Sequence, residues 1–244
     1  MRISGATVLI TGASSGIGAA TAHAVAAAGG RPVLTGRNAE RLAAVAAQTG
    51  GVSFVADVTE RVDVDTEVAG PVDVLVNNAG VGWAGPFGEM TEADIERLIA
   101  VNLTAPIRLT RALVPGMVER GRGHIVFVAS IAGATGVRHE AVYSATKAGL
   151  IYFADSLRYE LAGSGVGVSV VLPGVVDTPF FDRRGRPYER RRPAPIPAGR
   201  VARTIVAAIE RDRAEAYQPG WMRIPARLRG GAPTLFRRLA GRFG

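Results

Sequence analysis

Short, almost continuously apolar runs alternate with alanine-rich stretches along most of the chain. Six of these runs are rich in β-branched residues and predict strands, and a seventh short run near the C-terminal end predicts one more. Their near-continuous apolar character is typical of strands buried on both faces of a parallel sheet with crossover helices. In chain order the runs are ATVLITG, RPVLTGR, VSFVADV, VDVLVNNAG, GHIVFVAS, GVGVSVVLPG and AEAYQP.

The stretches between these runs predict helices. The first, AATAHAVAAAGG, ends at its glycines, and the clearest later ones cover Thr91–Val101, Ala105–Glu119, Val142–Leu161 and Arg200–Arg211. We find no internal repeat and no second core in the 244 residues. The pattern therefore predicts one α/β domain over residues 1–219, a doubly wound parallel sheet of about seven strands with helices on both faces. Residues 220–244 are expected to form a basic tail.

Composition narrows the chemistry. The chain is 48% hydrophobic and 20% charged, as in an ordinary globular protein. The absence of cysteine excludes disulfides and thiolate metal sites, and the three histidines are scattered, so no metal site is expected. No segment has the pattern of a signal peptide, and no apolar run reaches the length of a membrane-spanning helix. A cytoplasmic location is therefore expected.

Positive charge is concentrated toward the C-terminal end. The net charge is +8, yet from Arg183 onward sixteen arginines face only four acidic residues. Within this region Asp182–Pro197 holds six arginines and four prolines, too many prolines for a regular helix. That segment predicts a flexible loop at one side of the sheet.

A glycine-rich segment, TGASSGIG from Thr11 to Gly18, follows the first strand and opens the first helix. In that context Gly12 permits a tight turn, Gly16 lets a diphosphate approach the backbone, and Gly18 allows the helix to pack closely on the strand. The diphosphate would rest on the N-terminus of the helix. The segment predicts a dinucleotide site.

The end of the second strand indicates which dinucleotide. A carboxylate is usual there in NAD sites, where it accepts from the ribose 2′-hydroxyl. This chain has Gly36 followed by Arg37. The missing carboxylate removes repulsion of a 2′-phosphate, and the planar guanidinium group can bind that phosphate. The sequence therefore predicts NADP(H) in preference to NAD(H).

Lys147 is the only lysine in the chain, and it follows Tyr143 by four residues on a predicted helix. The two side chains therefore share one helix face. A nearby ammonium group favours the phenolate, so we expect Lys147 to bring the pKa of Tyr143 down from about 10 toward neutrality. Ser130 ends a predicted strand thirteen residues earlier, at the sheet edge where α/β folds bind ligands.

These motifs together resemble the short-chain dehydrogenase/reductase family, and the match extends over about residues 5–210. The resemblance rests on TGxxxGxG at Gly12, Gly16 and Gly18, on NNAG at residues 77–80, and on YxxxK at Tyr143 and Lys147 with Ser130 upstream. It implies an NADP-preferring Rossmann fold. Asn102 matches the asparagine that holds a water in the proton relay, and Asp57 matches the residue that contacts adenine.

The resemblance further implies the contacts and the reaction. The implied reaction passes hydride between NADPH and a ketone or aldehyde. Tyr143 is the implied general acid/base, Ser130 polarises the carbonyl, and Lys147 holds the ribose. With Asn102 of the proton relay, these are the implied catalytic residues. A homodimer or homotetramer through Ala105–Glu119 and Val142–Leu161 is expected. The implied cofactor contacts are Gly12, Ser14, Ser15, Gly16, Ile17, Gly18, Arg37, Asp57, Val58, Asn78, Ala79, Gly80, Tyr143, Lys147, Pro173, Gly174, Val176 and Thr178.

Two other classes of protein remain open. A non-catalytic dinucleotide-binding sensor or scaffold would keep the same fold, although the complete set of catalytic residue types favours an enzyme. A nucleic-acid or membrane-binding protein would use the basic C-terminal region, but no recognition motif for nucleic acid is present, so specific nucleic-acid binding is not expected. The expected partner is a small carbonyl or alcohol substrate.

Three segments depart from the family pattern. Asp57–Asn77 is short and a poor helix former, so a shortened crossover is expected there. Arg138, His139 and Glu140 precede the tyrosine. Arg138 and His139 are expected either against substrate or at the cavity mouth or a subunit contact. Residues 182–197 occupy the position of the family's substrate lid and could bind phosphate or carboxylate groups, including an acyl-carrier phosphopantetheine.

The tail carries an amphipathic pattern. PTLFRRLAGRF places five apolar residues on one helical face: Leu235, Phe236, Leu239, Ala240 and Phe243. Such a basic amphipathic helix fits the surface of an anionic membrane, and equally a cap on the protein's own core or a contact with another subunit.

Overall fold

The computed structural model describes residues 1–60, 70–188 and 193–243, with side chains described as far as residue 239. Seven strands form one parallel sheet, which confirms the architecture predicted from the sequence. Their order across the sheet is β3-β2-β1-β4-β5-β6-β9. Two further strands, β7 and β8, pair with each other outside that sheet. The strands are β1 Thr7–Thr11, β2 Arg31–Gly36, β3 Val52–Val55, β4 Val74–Asn77, β5 Gly123–Val128, β6 Val166–Pro173, β7 Val176–Asp177, β8 Ile196–Pro197 and β9 Glu215–Gln218.

The predicted helices are present, with shifts of up to three residues at their ends. The helix predicted over Thr91–Val101 ends at Ile99, because the chain widens there into a π-turn over Ala100–Thr104. The helices are α1 Gly16–Ala27, α2 Ala39–Thr49, α3 Glu92–Ile99, α4 Ala105–Glu119, α5 Ile131–Thr135, α6 Ala141–Glu160, α7 Phe180–Arg183, α8 Ala198–Glu210, α9 Arg223–Gly231 and α10 Pro233–Phe243.

The sheet separates two apolar cores. Side chains alternate between the faces of each strand, so Val8 and Ile10 of β1 lie on one face and Leu9 lies on the other. The first core also takes Val25 of α1 and Ile205 of α8. The second core includes residues of α4 and α6, which cover the opposite face. This doubly wound arrangement holds the carboxyl ends of all seven parallel strands at one edge.

The chain reverses direction across the sheet between β1 and β4. Strands β1, β2 and β3 extend to one side, and β4, β5, β6 and β9 extend to the other. In such sheets the crevice for a ligand opens at the carboxyl ends of the strands beside this reversal. The shortened crossover predicted over Asp57–Asn77 includes residues 61–69, which lie outside the described residues.

His124 is a buried polar residue of β5. Its Nε2 lies 2.9 Å from the hydroxyl of Ser169, and that hydroxyl donates to the carbonyl oxygen of Arg213 at 2.7 Å. Because the serine proton is already used, Nε2 must be the donor to Ser169. Burial lowers the pKa of His124 to about 4, against a smaller opposing effect of Asp212. The ring is therefore neutral at physiological pH.

Acidification is expected to destabilise the protein through His124. The unfolded chain protonates this residue below pH 6.5, whereas the folded chain does so only near pH 4, so stability falls as the pH drops through that window. From pH 7.5 to pH 4.5 the expected loss in the free energy of unfolding is roughly 2–3 kcal/mol. Urea unfolding of the parent and His124→Gln at both pH values measures it. The variant should lose less stability, and equal losses would contradict this account.

Candidate active site

A cavity of about 960 Å³ opens at the carboxyl ends of the strands, beside the reversal between β1 and β4. Every site residue predicted from the sequence lines this cavity except Gly18 and Asn102. Those two lie directly behind its wall, as their contacts show. The residues that the sequence spreads over positions 12–178 are therefore brought into one place.

Neighbouring backbone atoms lie so close to the glycine-rich turn that there is no room for side chains at Gly12 and Gly18. A Cβ atom on Gly18 would lie 2.3 Å from the carbonyl oxygen of Gly12, and one on Gly12 would lie 2.9 Å from the Cα of Ala79. Gly12 and Gly16 also have φ values of +67° and +58°, which disfavour other residues. The first turn of α1 faces the cavity with Ser15, Gly16 and Ile17. This cradle fits a dinucleotide diphosphate.

Thr11 joins the glycine-rich turn to the end of β4. Its hydroxyl accepts from the backbone N–H groups of Asn78 and Ala79, each at 3.0 Å. The side-chain amide of Asn78 donates in return to the carbonyl oxygen of Thr11 at 2.8 Å. Thr11 is not among the site residues predicted from the sequence, but it holds the end of β1 against the end of β4.

Arg37 and Asp57 stand at the other end of the cavity. A guanidinium nitrogen of Arg37 lies 3.8 Å from a carboxylate oxygen of Asp57, and the arginine side chain is 72% exposed. Hydrogen bonds from the backbone and hydroxyl of Thr59 hold the pKa of Asp57 below its ordinary value. Gly36 ends β2, so no carboxylate occupies the position that binds a ribose 2′-hydroxyl in NAD sites.

Asn102 is fully buried within the π-turn. Its side chain exchanges two hydrogen bonds of 2.9 Å with the backbone of Val81 and donates a weaker one of 3.3 Å to Thr146. The π-turn places this amide beside Val81, in the segment that follows β4. Asn102 therefore fixes the segment after Gly80 against the helix that carries Lys147.

Lys147 is buried beside Tyr143. Its ammonium group donates to the carbonyl oxygen of Val128 at 3.0 Å and lies 5.8 Å from the centre of the Tyr143 ring. A Cβ atom on Gly80 would come within 3.4 Å of this ammonium group, so the glycine keeps the space beside it open. Burial lowers the pKa of Lys147 to about 8.

Ser130 lies against Tyr143 because two helices pack backbone to backbone. The Ser130 hydroxyl caps α5 by accepting from the N–H of Ala132 at 3.1 Å, and it also hydrogen-bonds the Tyr143 side chain. A Cβ atom on Gly133 would lie 2.6 Å from the carbonyl carbon of Lys147. Only glycine permits so close an approach of α5 to α6, and that approach brings the two hydroxyls together.

The prediction that Lys147 lowers the pKa of Tyr143 is wrong. Burial is the largest influence and raises the pKa of Tyr143 above its ordinary value; Glu140 raises it further, whereas the Ser130 hydrogen bond and Arg184 lower it. Lys147 is not among these influences, and its ammonium group donates to the Val128 carbonyl. The physical reason is desolvation, which outweighs the neighbouring charges. Tyr143 is therefore a neutral phenol at physiological pH, the form that donates a proton.

The described part of the expected lid is anchored over the tyrosine. Phe180 packs on the Tyr143 ring with ring centres 5.6 Å apart. Arg184 forms an ion pair with Glu140, both side chains being largely buried, and it stacks on Phe181 at 4.7 Å. The start of the segment predicted to be a flexible loop is therefore held in place. Its buried arginine contacts both a carboxylate and an aromatic ring. Residues 189–192 of that loop lie outside the described residues.

The segment before Tyr143 lies at the cavity wall. Arg138, His139 and Glu140 all line the cavity, and the carbonyl oxygen of His139 accepts from the N–H of Gly85 at 2.9 Å. His139 has a φ of +65°, a conformation that few non-glycine residues adopt. Glu140 takes part in holding the lid.

Comparison with known proteins identifies the family. The family model described as short chain dehydrogenase matches residues 6–189. The chain belongs to the short-chain dehydrogenase/reductase family. It is accordingly an NAD(P)-dependent dehydrogenase/reductase with the Rossmann-type fold described above.

Individual relatives carry more detailed names. The chain is 40% identical over 229 residues to ketoacyl reductase HetN of Nostoc sp., covering 87% of this chain and 78% of that protein. It is similar to a short-chain dehydrogenase/reductase of Burkholderia phymatum in complex with NAD, with a TM-score of 0.87, 28% identity and 96% of each chain covered. It is also similar to a variant of actinorhodin polyketide ketoreductase with NADPH, with a TM-score of 0.82, 30% identity, and 91% of this chain and 98% of that chain covered.

The C-terminal tail of this family member contributes to the cavity wall. Helix α9 packs against α5, and the cavity lining includes Trp221, Met222, Pro225 and Phe236. Leu235 and Leu239, from the amphipathic face predicted in the tail, are 51% and 40% exposed. The side chains of Ala240 and Phe243, also on that face, lie outside the described residues. Phe236 therefore lines the cavity, whereas Leu235 and Leu239 are exposed.

Sequence reasoning missed several residues of the wall. Phe180, Arg184, Trp221 and Phe236 line the cavity, and the guanidinium group of Arg183 donates to the hydroxyl of Ser15 at 3.1 Å. The only sequence signal was aromatic residues placed beside arginines in the last quarter of the chain. That signal does not say which of them face inward, because long-range packing decides which side chains are covered.

Proposed function

We propose that this chain reduces a ketone carbonyl to a secondary alcohol with NADPH. The observation that carries the proposal is the contact between the Ser130 and Tyr143 hydroxyls at the cavity wall, with the buried Lys147 ammonium group beside the tyrosine. The glycine cradle at Gly12, Gly16 and Gly18 supports binding of the dinucleotide at the other strand ends. Bound NADPH supplies the hydride that the carbonyl carbon receives.

Ser130 and Tyr143 act on the carbonyl oxygen. Ser130 donates a hydrogen bond that polarises the carbonyl, and Tyr143 transfers its phenolic proton to the oxygen as the carbon is reduced. The raised pKa of Tyr143 keeps that proton in place until the oxygen becomes basic enough to take it. Lys147, whose pKa of about 8 leaves it mostly charged at neutral pH, lines the cavity and would hold the cofactor ribose. In the reverse direction the same tyrosine is the base.

The cavity wall supports a lipophilic substrate. Beyond Tyr143 the lining includes four large aromatic side chains, Phe180, Phe181, Trp221 and Phe236, together with arginines of the lid. Such a wall favours an apolar ketone over a small hydrophilic one. The names of two similar proteins, a ketoacyl reductase and a polyketide ketoreductase, support an acyl-type ketone. A panel of ketoacyl thioesters and of simple hydrophilic ketones, followed by loss of NADPH absorbance, separates these substrate classes.

Arg37 is expected to select NADPH. Replacing it with glutamine removes charge-assisted hydrogen bonds to the 2′-phosphate, so the Kd for NADPH should rise about 10- to 100-fold. The Kd for NADH should hardly change, since NADH has no phosphate there. Isothermal titration with both cofactors measures the effect, and Arg41→Gln, an exposed arginine nearby on α2, is the matched control. A parallel loss for both cofactors would contradict this role.

Pairing of subunits through α4 and α6 is part of the proposal. Both helices carry exposed large apolar residues, namely Val118 at 40% exposure, Tyr152 at 73% and Tyr159 at 78%. Covering these side chains in a symmetric dimer would bury apolar surface that a monomer leaves in water. Their exposure supports a homodimer or homotetramer built on this face.

A further inference from the structure

A second cavity, separate from the catalytic one, is bordered by arginines. It has a volume of about 650 Å³ and lies along the sheet edge formed by β9. We call its lining arginines the arginine basin. They are Arg200, Arg203, Arg213, Arg223 and Arg227.

Little negative charge offsets the basin. Glu215 is the one carboxylate in its described lining, and it accepts a hydrogen bond from the Tyr217 hydroxyl at 3.3 Å. Over residues 1–60, 70–188 and 193–239, none of the five arginines forms an ion pair with a carboxylate. Five arginines around one cavity, each with planar donors, favour a ligand that offers several phosphate oxygens.

Exposed apolar side chains lie on the segment after β9 that also supplies Arg223 and Arg227 to the basin. Trp221, in the turn before α9, is 53% exposed, Ile224 of α9 is 64% exposed, and Leu235 and Leu239 of α10 are 51% and 40% exposed; we call these four the apolar face. Residues 220–244 contain six arginines and no acidic residue. Exposed leucine, isoleucine and tryptophan interleaved with arginine are typical of helices that lie in the interface of an anionic bilayer.

The same segment also forms part of the catalytic cavity wall. Arg223 and Arg227 line the basin, whereas Trp221, Pro225 and Phe236 line the catalytic cavity. Residues 221–239 therefore contribute to the basin, to the apolar face and to one side of the catalytic cavity. A surface that rests there would adjoin the entrance used by the substrate.

We propose that the arginine basin and the apolar face together bind the surface of an anionic phospholipid bilayer. The lipid phosphates satisfy the arginines, and the four exposed apolar side chains enter the boundary between headgroups and acyl chains. A second copy of this chain seated with the two-fold axis through the basin would set like charges together. This proposal concerns binding of the protein to lipid and stands apart from the reaction proposed above.

Co-sedimentation with vesicles tests the proposal. We expect the full-length chain to pellet with phosphatidylcholine vesicles that contain phosphatidylglycerol and to stay in the supernatant with phosphatidylcholine alone. The variant Arg200→Gln/Arg203→Gln/Arg223→Gln/Arg227→Gln should bind about 10²- to 10³-fold more weakly. Its matched control is Arg2→Gln/Arg41→Gln/Arg97→Gln/Arg122→Gln, which removes the same charge from exposed positions away from the basin and from α4 and α6, and should bind like the parent.

Fluorescence reports the insertion of the apolar face. The chain has two tryptophans, so a Trp83→Phe background leaves Trp221 as the single probe. Its emission should shift to shorter wavelength on anionic vesicles, and Leu235→Ser/Leu239→Ser should weaken binding several-fold by removing buried apolar area.

Four results would overturn the proposal. The first is equal pelleting of the basin variant and its control, and the second is no pelleting with anionic vesicles. The third is binding of soluble glycerophosphate, seen as a thermal shift, without binding to vesicles, which would make the basin a small-anion site. The fourth is a change in oligomeric state of the basin variant in sedimentation velocity, which would make it a contact between copies. Each readout is independent of catalytic activity.

Discussion

Replacing Tyr143 with phenylalanine is expected to lower kcat for ketone reduction by about 10²- to 10⁴-fold, the usual contribution of a positioned general acid. The change removes the phenolic proton and leaves the ring, which packs on Phe180. Stability and the Kd for NADPH should therefore stay close to those of the parent. Steady-state kinetics with the best ketone from the substrate panel, together with titration of NADPH, measures both quantities.

Tyr152→Phe is the matched control for this experiment. Tyr152 lies on the same helix, α6, but its side chain is 73% exposed, so its hydroxyl should contribute nothing to turnover. The role of Tyr143 would be disproved by a Tyr143→Phe enzyme that keeps more than about a tenth of the parent kcat, since that residual rate leaves no room for a general acid.

Replacing Gly133 with alanine is expected to cost about 3 kcal/mol or more in the free energy of unfolding, at the upper end of overpacking effects. The added Cβ would lie 2.6 Å from the carbonyl carbon of Lys147 and 2.7 Å from the nitrogen of Ala148. These are backbone atoms of α6 and cannot move aside as a side chain can. Relief requires α5 to move away from α6, and Ser130 moves with it.

Urea unfolding and steady-state kinetics together measure this effect. Folded Gly133→Ala should show a lower kcat as well as lower stability, because the Ser130 hydroxyl leaves the tyrosine. Gly116→Ala on α4 is the control, since its added Cβ would meet only the mobile end of the Arg120 side chain. That variant should be as stable as the parent or slightly more so. If Gly133→Ala matched it, the tight packing of the two helices would not govern the site.

Much of the catalytic site could be predicted because its residues belong to short local patterns. The spacing of Tyr143 and Lys147 places them on one helix face in any context, and the glycine-rich turn sits between an apolar strand and a helix. The position of Ser130 at a strand end follows from the parallel sheet. The structure places all of these residues together, and their catalytic roles stay predictions until the variants are measured.

The lid and the tail could not be predicted in the same way. Arg184 and Glu140 are 44 residues apart, and nothing local indicates that they form a largely buried pair. Phe236 looked like one of five equivalent apolar positions, yet it lines the cavity while Leu235 and Leu239 face outward. Long-range packing decides which side of a short amphipathic helix is covered, and helical periodicity only says that two sides exist.

The sequence by itself determined the parallel sheet, its seven strands and the types of chemical group at their ends. The apolar runs that predict strands and the turn residues that follow them each involve only a few neighbouring residues. Only the tertiary structure decided the state of those groups. It buried Tyr143, so that desolvation raised its pKa where the neighbouring lysine alone predicted a fall. It also gathered five arginines from two helices, α8 and α9, and from the turn after α8 into one basin. Burial and convergence depend on the whole fold, and no short stretch of sequence contains them.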